Sequence, residues 1–336
     1  MPRSSSPLSR WTSWAPLVVA VAATVAVVLT SPSQERSAGQ QVLDGRQLRI
    51  MAPAAPGGGW DQTSREMQAA LRDLVGRTEV YNVEGAGGTI GLSQFIRHRG
   101  QPTELMTTGL IMIGAVERNR APNSLADTTP LLRLTTDYQV IVVPASSPLR
   151  TMPDLVAAMR ANLPSVSMSG GSAGGAEQIL AGLIAQAIGA NPAQVNYVAH
   201  SGGGQALTTL LSGRSTTGLS GVSEIRPQIK AGTLRALAVS SPERLPALPD
   251  VPTLRESGVD VELQNWRGVV APPGISAEQK AELERLLVAM TRTPAWRDAL
   301  ARRGWGEATL AGPEFERFVA DEQQRVARVL RSIGLR

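Results

Sequence analysis

Six short apolar runs in this chain each end in a small glycine-rich turn, and each turn leads into a stretch with helical character. A helix N-terminus attracts anions because it carries unpaired backbone N–H groups and a partial positive charge. Glycine in the turn lets a ligand come close to the backbone. Three turns precede position 145 and three follow it, so two sets facing each other across a cleft would hold a small carboxylate. The turns lie at 56–59, 85–88, 109, 170–175, 201–204 and 220–221.

Length and composition favour a globular protein of two domains. The chain has 336 residues, of which 42% are hydrophobic, which is enough to form two cores. It contains no cysteine, and this excludes disulfides, thiol catalysis and cysteine-ligated metals. The 33 basic residues are scattered, and their longest run is the pair Arg302 and Arg303. Nucleic-acid binding is therefore not expected, because it requires a basic stripe.

The N-terminal segment has the features of an export signal. Arg3 and Arg10 precede an apolar run over 15–30, which a Ser-Pro-Ser sequence then breaks. The run is shorter than the roughly 20 residues of a membrane-spanning helix and suits a signal peptide. We predict that 1–33 directs export by the general secretion route, either as a cleaved signal peptide or as an uncleaved N-terminal anchor. Residues 34–46 form a polar linker, and the bulk of the protein lies outside the cytoplasmic membrane.

Strand-like and helix-like stretches alternate through the rest of the chain, which predicts an α/β fold with parallel sheets and right-handed crossovers. The predicted strands are 48–52, 79–83, 104–108, 131–136, 138–143, 166–169, 194–199, 217–220, 234–240, 259–266 and 268–271. The predicted helices are 60–75, 89–97, 152–162, 176–188, 205–211, 223–230, 276–291, 294–303 and 313–333. The helix over 276–291 has a capping-box signature, with Ser276 as N-cap and Gln279 three residues later.

An ordered set of motifs resembles the solute-binding proteins of the tripartite tricarboxylate transporter system, the Bug-type or TctC-like family. The motifs are Pro-Gly-Gly-Gly-Trp-Asp at 56–61, the segment 82–91, the glycine turn 170–175, the segments 241–244 and 248–254, and the segment 265–274. The resemblance covers about 47–330 and implies a type II periplasmic-binding-protein fold, with two α/β domains and a ligand cleft between them. The first domain would comprise 47–143 plus 266–336, and the second 144–265.

The resemblance also implies which residues bind the ligand, mainly through backbone N–H groups of the glycine turns and a few small polar side chains. It implies no catalytic residue, no metal and no cofactor. In the first domain the implied ligand-binding residues are Gly57, Gly58, Gly59, Trp60, Asp61, Gly85, Ala86, Gly87, Gly88 and Thr89. In the second domain they are Ser169, Ser172, Ala173, Gly174, Gly175, Ser201, Gly202, Gly203, Gly221, Ser223 and Glu224.

By this resemblance, the chain is expected to be a monomeric, extracytoplasmic solute-binding protein that captures a tricarboxylate- or dicarboxylate-like ligand. It would deliver that ligand to a membrane transporter with one large and one small integral subunit. A sensor that presents its liganded form to a membrane signalling partner is an alternative that the sequence leaves open. The identity of the carboxylate and its affinity are open as well.

Two residues depart from the family pattern. Trp60 stands where a small polar residue is more usual, and Glu84 stands where an uncharged residue usually precedes the Gly-Ala-Gly-Gly run. A carboxylate at position 84 that faced the cleft would oppose an anionic ligand, unless it paired with a positive group on that ligand. The identity of the ligand therefore depends on what Glu84 contacts.

A serine hydrolase is the rival class. The turn at 170–174 matches the Gly-x-Ser-x-Gly nucleophile elbow, with Ser172 as the nucleophile. That mechanism needs an acid and then a histidine after the serine. His200 is the only later histidine, and the only acid between Ser172 and His200 is Glu177, at the start of the next predicted helix. The sequence therefore favours binding over hydrolysis, and two distant histidines without cysteine do not make a zinc site.

Overall fold

The computed structural model describes residues 47–335, and the predicted export segment and linker lie outside them. Within that range, no helix has both the length and the apolar character needed to cross a bilayer. The strands are β1 Leu48–Ala52, β2 Thr78–Asn82, β3 Glu104–Gly109, β4 Thr129–Pro144, β5 Ser167–Gly170, β6 Asn196–Ala199, β7 Thr217–Gly221, β8 Leu234–Val239, β9 Gln264–Ala271 and β10 Gly306–Ala311. The α-helices are α1 Gly59–Val75, α2 Thr89–Phe95, α3 Leu110–Asn119, α4 Met152–Asn162, α5 Ala176–Ala187, α6 Gly203–Leu211, α7 Val222–Lys230, α8 Ala277–Thr291, α9 Pro294–Arg303 and α10 Gly312–Ser332.

The strands form a mixed sheet in the order β2-β1-β3-β9-β4-β7-β5-β6, and β8 and β10 also pair with β4. Strands β2, β1 and β3 are parallel, as are β7, β5 and β6. These parallel groups are the two α/β units that the alternation of strands and helices predicts. Strands β4 and β9 run antiparallel to their neighbours and join the two groups.

Strand β4 changes partners along its length. It pairs with β9 as far as Tyr138, with β7 from Gln139, and at the same time with β8 from Val140. We call the strands up to this point, with β9 and β10, the first lobe, and β5 to β8 with the rest of β4 the second lobe. The exchange of β9 for β7 as the partner of β4 lies before the predicted domain boundary at 143/144. The predicted domain boundaries stay a prediction.

Most predicted elements are present, and the differences follow from tertiary pairing. The predicted strands 131–136 and 138–143 are one strand, because the buried Asp137 that interrupts the apolar pattern remains in the β9 ladder. Residues 259–263 are not part of β9. Helix α3 was predicted only as a helical stretch after the turn at Gly109, without bounds. Strand β10 was not among the predicted elements; it alternates weakly and forms its ladder only against β4.

All six glycine turns lead into α-helices, namely α1, α2, α3, α5, α6 and α7, so this prediction is confirmed. The capping box of α8 is confirmed as well: the Ser276 hydroxyl accepts a hydrogen bond from the Gln279 backbone N–H at 3.2 Å. The N-caps of the helices that follow the turns are different, because they make no side-chain cap hydrogen bond. Their first N–H groups therefore have no side-chain oxygen from the N-cap as partner.

The last helix holds the lobes together. Trp266 of β9 is buried, donates from Nε1 to Glu322 Oε2 at 3.0 Å and meets the rings of Phe315 and Phe318 edge-on. At the end of this helix, Ile333 packs against Gly182 of α5 in the second lobe. Helix α10 therefore covers the first lobe and reaches the second, and both lobes share one apolar core.

Candidate ligand-binding cleft

A cavity of about 110 Å³ lies between the lobes, and turns from both of them line it. Twelve of the predicted ligand-binding residues are part of this lining. From the first lobe these are Gly58, Gly59, Trp60, Gly85, Ala86, Gly87 and Gly88. From the second lobe they are Ser172, Ser201, Gly202, Gly203 and Glu224. The structure thus brings four of the six glycine turns together at one place.

Nine predicted residues lie outside this lining. Gly57 and Ala173 line neighbouring, more open parts of the cleft. The Asp61 carboxylate accepts hydrogen bonds from the Gly57 N–H at 2.8 Å and from Arg65 at 3.0 Å, so it stabilises its own turn. Ser223 donates to Asp137 Oδ2 at 2.7 Å, beneath the cavity. The other residues outside the lining are Thr89, Ser169, Gly174, Gly175 and Gly221.

Two of the turn glycines are required by packing. Gly87 has φ +64°, and a Cβ there would lie 2.5 Å from the Ala115 Cβ. Gly174 has φ +77°, and a Cβ there would lie 2.8 Å from the Gly114 carbonyl oxygen, where α3 of the first lobe meets a turn of the second. Larger residues at 87 and 174 would therefore disturb the fold and the contact between the lobes together with any ligand site.

Sequence reasoning missed Arg267, the one charged residue of strand β9. Its side chain is 3% exposed and lines the cavity, and its Nη2 donates to Asp137 Oδ2 at 3.3 Å. Its guanidinium lies 5.0 Å from the centre of the Trp305 ring. Burial raises the pKa of Asp137, against the opposing effects of Arg267 and of the hydrogen bond from Ser223. The signal that could have found both residues is a charged side chain within a strand that is predicted to be buried.

Glu224 lies between the two lobes at the first turn of α7. Its Oε1 would be 3.2 Å from a Cβ on Gly59, and its Oε2 contacts the position of a Cβ on Gly203. Gly59 and Gly203 are the first residues of α1 and α6, so this carboxylate lies beside the N-termini of helices from both lobes. Burial raises the pKa of Glu224, while the positive charge of Arg267 acts in the opposite direction.

Glu177 is a second buried acid in the lining, at the first turn of α5, and the set of predicted ligand-binding residues did not include it. Its Oε2 folds back over the glycine turn, 3.2 Å from a Cβ on Gly171 and 3.3 Å from one on Gly175. That oxygen is buried and has no hydrogen-bond partner among the described residues. Burial, followed by the nearby charge of Glu224, raises the pKa of Glu177 to about 7.

Ser172 and His200 do not form a hydrolase triad in the described part of the chain. The two residues line the same open part of the cleft. Among the described residues no hydrogen bond joins the Ser172 hydroxyl to His200, and the buried His200 Nε2 has no partner, whereas a general base must lie within hydrogen-bond reach of the serine hydroxyl. Across 47–335, no three His, Asp or Glu side chains are grouped to hold a metal ion.

Comparison with known proteins identifies the family. The sequence model described as "Tripartite tricarboxylate transporter family receptor" matches residues 63–335 of the chain. The chain belongs to this family. The chain is 28% identical over 296 residues to protein BugT of Bordetella pertussis, and the alignment covers 86% of the chain and 90% of BugT. The resemblance stated from the motifs is therefore confirmed.

Two solved structures show the same fold. The periplasmic binding protein BugD superimposes on the receptor with a TM-score of 0.77 at 23% identity, over 86% of this chain and 98% of BugD. MatC of Rhodopseudomonas palustris with bound malate has a TM-score of 0.75 at 22% identity, over 84% of this chain and 98% of MatC. The predicted α/β periplasmic-binding-protein fold is thus confirmed.

Proposed function

We propose that this receptor captures a small organic carboxylate in the cleft between its lobes, outside the cytoplasmic membrane. The observation that carries the proposal is that helix-leading glycine turns from both lobes line one cavity. Backbone N–H groups at helix N-termini are donors suited to a carboxylate. A structural neighbour that shares the fold, MatC, holds malate.

Delivery to a membrane transporter with one large and one small integral subunit is part of the same proposal. A ligand that touches both walls of the cleft binds the closed arrangement of the lobes more tightly than an open one, so it shifts the population toward closure. The closed, liganded receptor is then the form that the transporter recognises. The receptor acts as a monomer and without a cofactor.

The proposal includes no catalytic step. The unpartnered His200 Nε2 supports this, because it leaves Ser172 without a general base. A Ser172→Ala variant should weaken ligand binding by about 1–2 kcal/mol at most, through loss of one hydrogen bond. Ester hydrolysis by the wild-type protein that disappears in this variant would instead support the hydrolase alternative.

A thermal-shift screen of the purified full-length chain against di- and tricarboxylates, amino acids and aromatic acids tests the binding function. A ligand present at about 100 times its dissociation constant stabilises the folded state by about 2.7 kcal/mol. At least one carboxylate should raise the melting temperature in a concentration-dependent manner. If every carboxylate leaves it unchanged, the proposed function is wrong.

A matched pair of variants tests the location of the site. Gly202 has extended backbone, and a Cβ there meets no atom within 4 Å, so Gly202→Leu adds a side chain at the cavity wall without backbone strain. This variant should keep its circular dichroism spectrum and lose the ligand-induced shift. The control is Ala301→Leu on the exposed surface of α9, which should keep both. A full ligand-induced shift in Gly202→Leu would place the site elsewhere.

A further inference from the structure

The charges around the cavity are poorly suited to a simple anion. Three carboxylates line it, those of Glu84, Glu177 and Glu224, and Arg267 is the one cation in the described lining. The guanidinium of Arg267 already donates to Asp137, so its charge is shared with a buried acid. A ligand with only negative groups would therefore lie close to several carboxylates without a cation of its own to pair with.

Glu177 points to a missing partner. The residue is 7% exposed, and its Oε2 has no hydrogen-bond partner in the described chain. A positively charged donor beside Glu177 would hold its carboxyl in the ionised form, and in that form the group only accepts hydrogen bonds. Burial of an unpartnered carboxylate is costly, and a positively charged donor offsets that cost best.

Glu224 strengthens the same conclusion from the other side of the cavity. Its carboxylate occupies the space beside the N-termini of α1 and α6, where a ligand carboxylate would otherwise find helix donors. Glu224 therefore competes with a ligand carboxylate for the positive ends of these two helices. Among the described side chains of the lining, Arg267 still offers a donor, because its Nη1 is buried without a hydrogen-bond partner.

We propose that the ligand of this cleft is a zwitterion, with a protonated amino group bound by Glu177 and Glu224 and a carboxylate that pairs with Arg267. The inference rests on the proposed function and narrows its ligand class from carboxylates in general to amino-bearing carboxylates. An organic ammonium suits the site better than a metal ion, because no three His, Asp or Glu side chains in 47–335 are grouped around a common centre.

Calorimetric titration of the full-length chain with matched ligand pairs tests the proposal. The pairs are aspartate and malate, glutamate and 2-hydroxyglutarate, and 2-aminoadipate and adipate, which differ by the ammonium group. In at least one pair the amino-bearing member should bind at least tenfold more tightly. If the amino-free member binds as tightly or more tightly in every pair that binds, the zwitterion proposal is wrong and carboxylate capture stands.

Variants of Glu177 and Glu224 test whether these two acids cause the preference for the amino-bearing ligand. Glu177→Gln and Glu224→Gln should each reduce the preference for the amino-bearing ligand at least fivefold, with the circular dichroism spectrum unchanged. The matched control is Glu307→Gln, on the exposed strand β10 and outside the cavity lining, which should keep the full preference. A full preference in both folded cleft variants would overturn the assignment of the ammonium to Glu177 and Glu224.

Two further ligands separate this proposal from the proposed function. If 1,4-diaminobutane binds and no carboxylate or amino acid does, carboxylate capture and the zwitterion proposal are both wrong, and the cleft is an ammonium site only. If calcium chloride alone stabilises the protein and competes with the amino acids, the acids form a metal site and the zwitterion proposal is wrong. No binding by carboxylates, amino acids or the diamine would contradict both proposals.

Discussion

Asp61 and Glu177 occupy equivalent places in the two lobes and have opposite electrostatic roles. Each is an acid in the first turn of a helix that follows a glycine turn, and each is nearly inaccessible to solvent. Burial by itself would raise the pKa of Asp61, but hydrogen bonds from Arg65, from the Gly57 N–H and from Asn82 together lower it. The pKa of Glu177 rises to about 7, because burial and the nearby charge of Glu224 outweigh the opposing effects of one backbone hydrogen bond and of Arg267.

The difference shows that the position of an acid in a helix does not fix its charge state. The helix N-terminus favours a negative charge at both sites by a similar, modest amount. What differs is the number of donors that the tertiary structure brings to each carboxylate. Asp61 is a structural group of its own turn, whereas Glu177 is held in the cleft with an oxygen available to a donor from outside the chain.

Removal of Arg267 should give the largest effect, because it would turn Asp137 into an unpaired buried acid like Glu177. Arg267→Met should reduce the free energy of unfolding at pH 7 by about 3–5 kcal/mol, the usual cost of breaking a buried ion pair. Urea denaturation monitored by circular dichroism measures this. Adding Asp137→Asn should recover most of the loss. A double variant that is as unstable as Arg267→Met would show that the pairing is not the cause.

Glu177→Gln should stabilise the protein at pH 8 by roughly 3 kcal/mol. The folded protein keeps the Glu177 proton up to about pH 7, whereas the unfolded chain releases it near 4.5. The folded state thus binds more protons between these values, so wild-type stability falls there as the pH rises. The gain from Glu177→Gln should be absent at pH 4 and complete above pH 7. Urea titrations across this range test it, and a gain that does not depend on pH would contradict the raised pKa.

Asp61→Asn should have a smaller effect of the opposite sign. Loss of the charged hydrogen bonds to Gly57 and Arg65 should destabilise the protein at pH 7 by about 2 kcal/mol. The pKa of Asp61 is lowered in the folded state, so its stabilisation is present above pH 3.8 and is lost as the pH falls through the folded value. The exposed Asp298 supplies the control, since Asp298→Asn should change stability by less than about 0.5 kcal/mol. If Asp61→Asn and Asp298→Asn changed the free energy of unfolding equally, Asp61 would not be the stabilising acid that contrasts with Glu177.

The glycine turns and the helices after them could be predicted from the sequence, because turn chemistry and helical periodicity are local properties. Helix α3 was predicted only as a helical stretch after the turn at Gly109, without bounds; its run from Leu110 to Ala115 is nearly all apolar, so it lacks the amphipathic periodicity that would set them. Strand β10 was missed because its partner β4 lies far away in the chain.

The sequence by itself determined the family, the α/β alternation and the turns that line the cleft, since each depends on residues close together in the chain. Only the tertiary structure decided how the cleft is charged. Arg267 and Asp137 meet because β9 and β4 pair, and Glu224 reaches Gly59 because α7 faces the start of α1. Burial and donor count set the charge of a carboxylate, and both arise from contacts between distant segments.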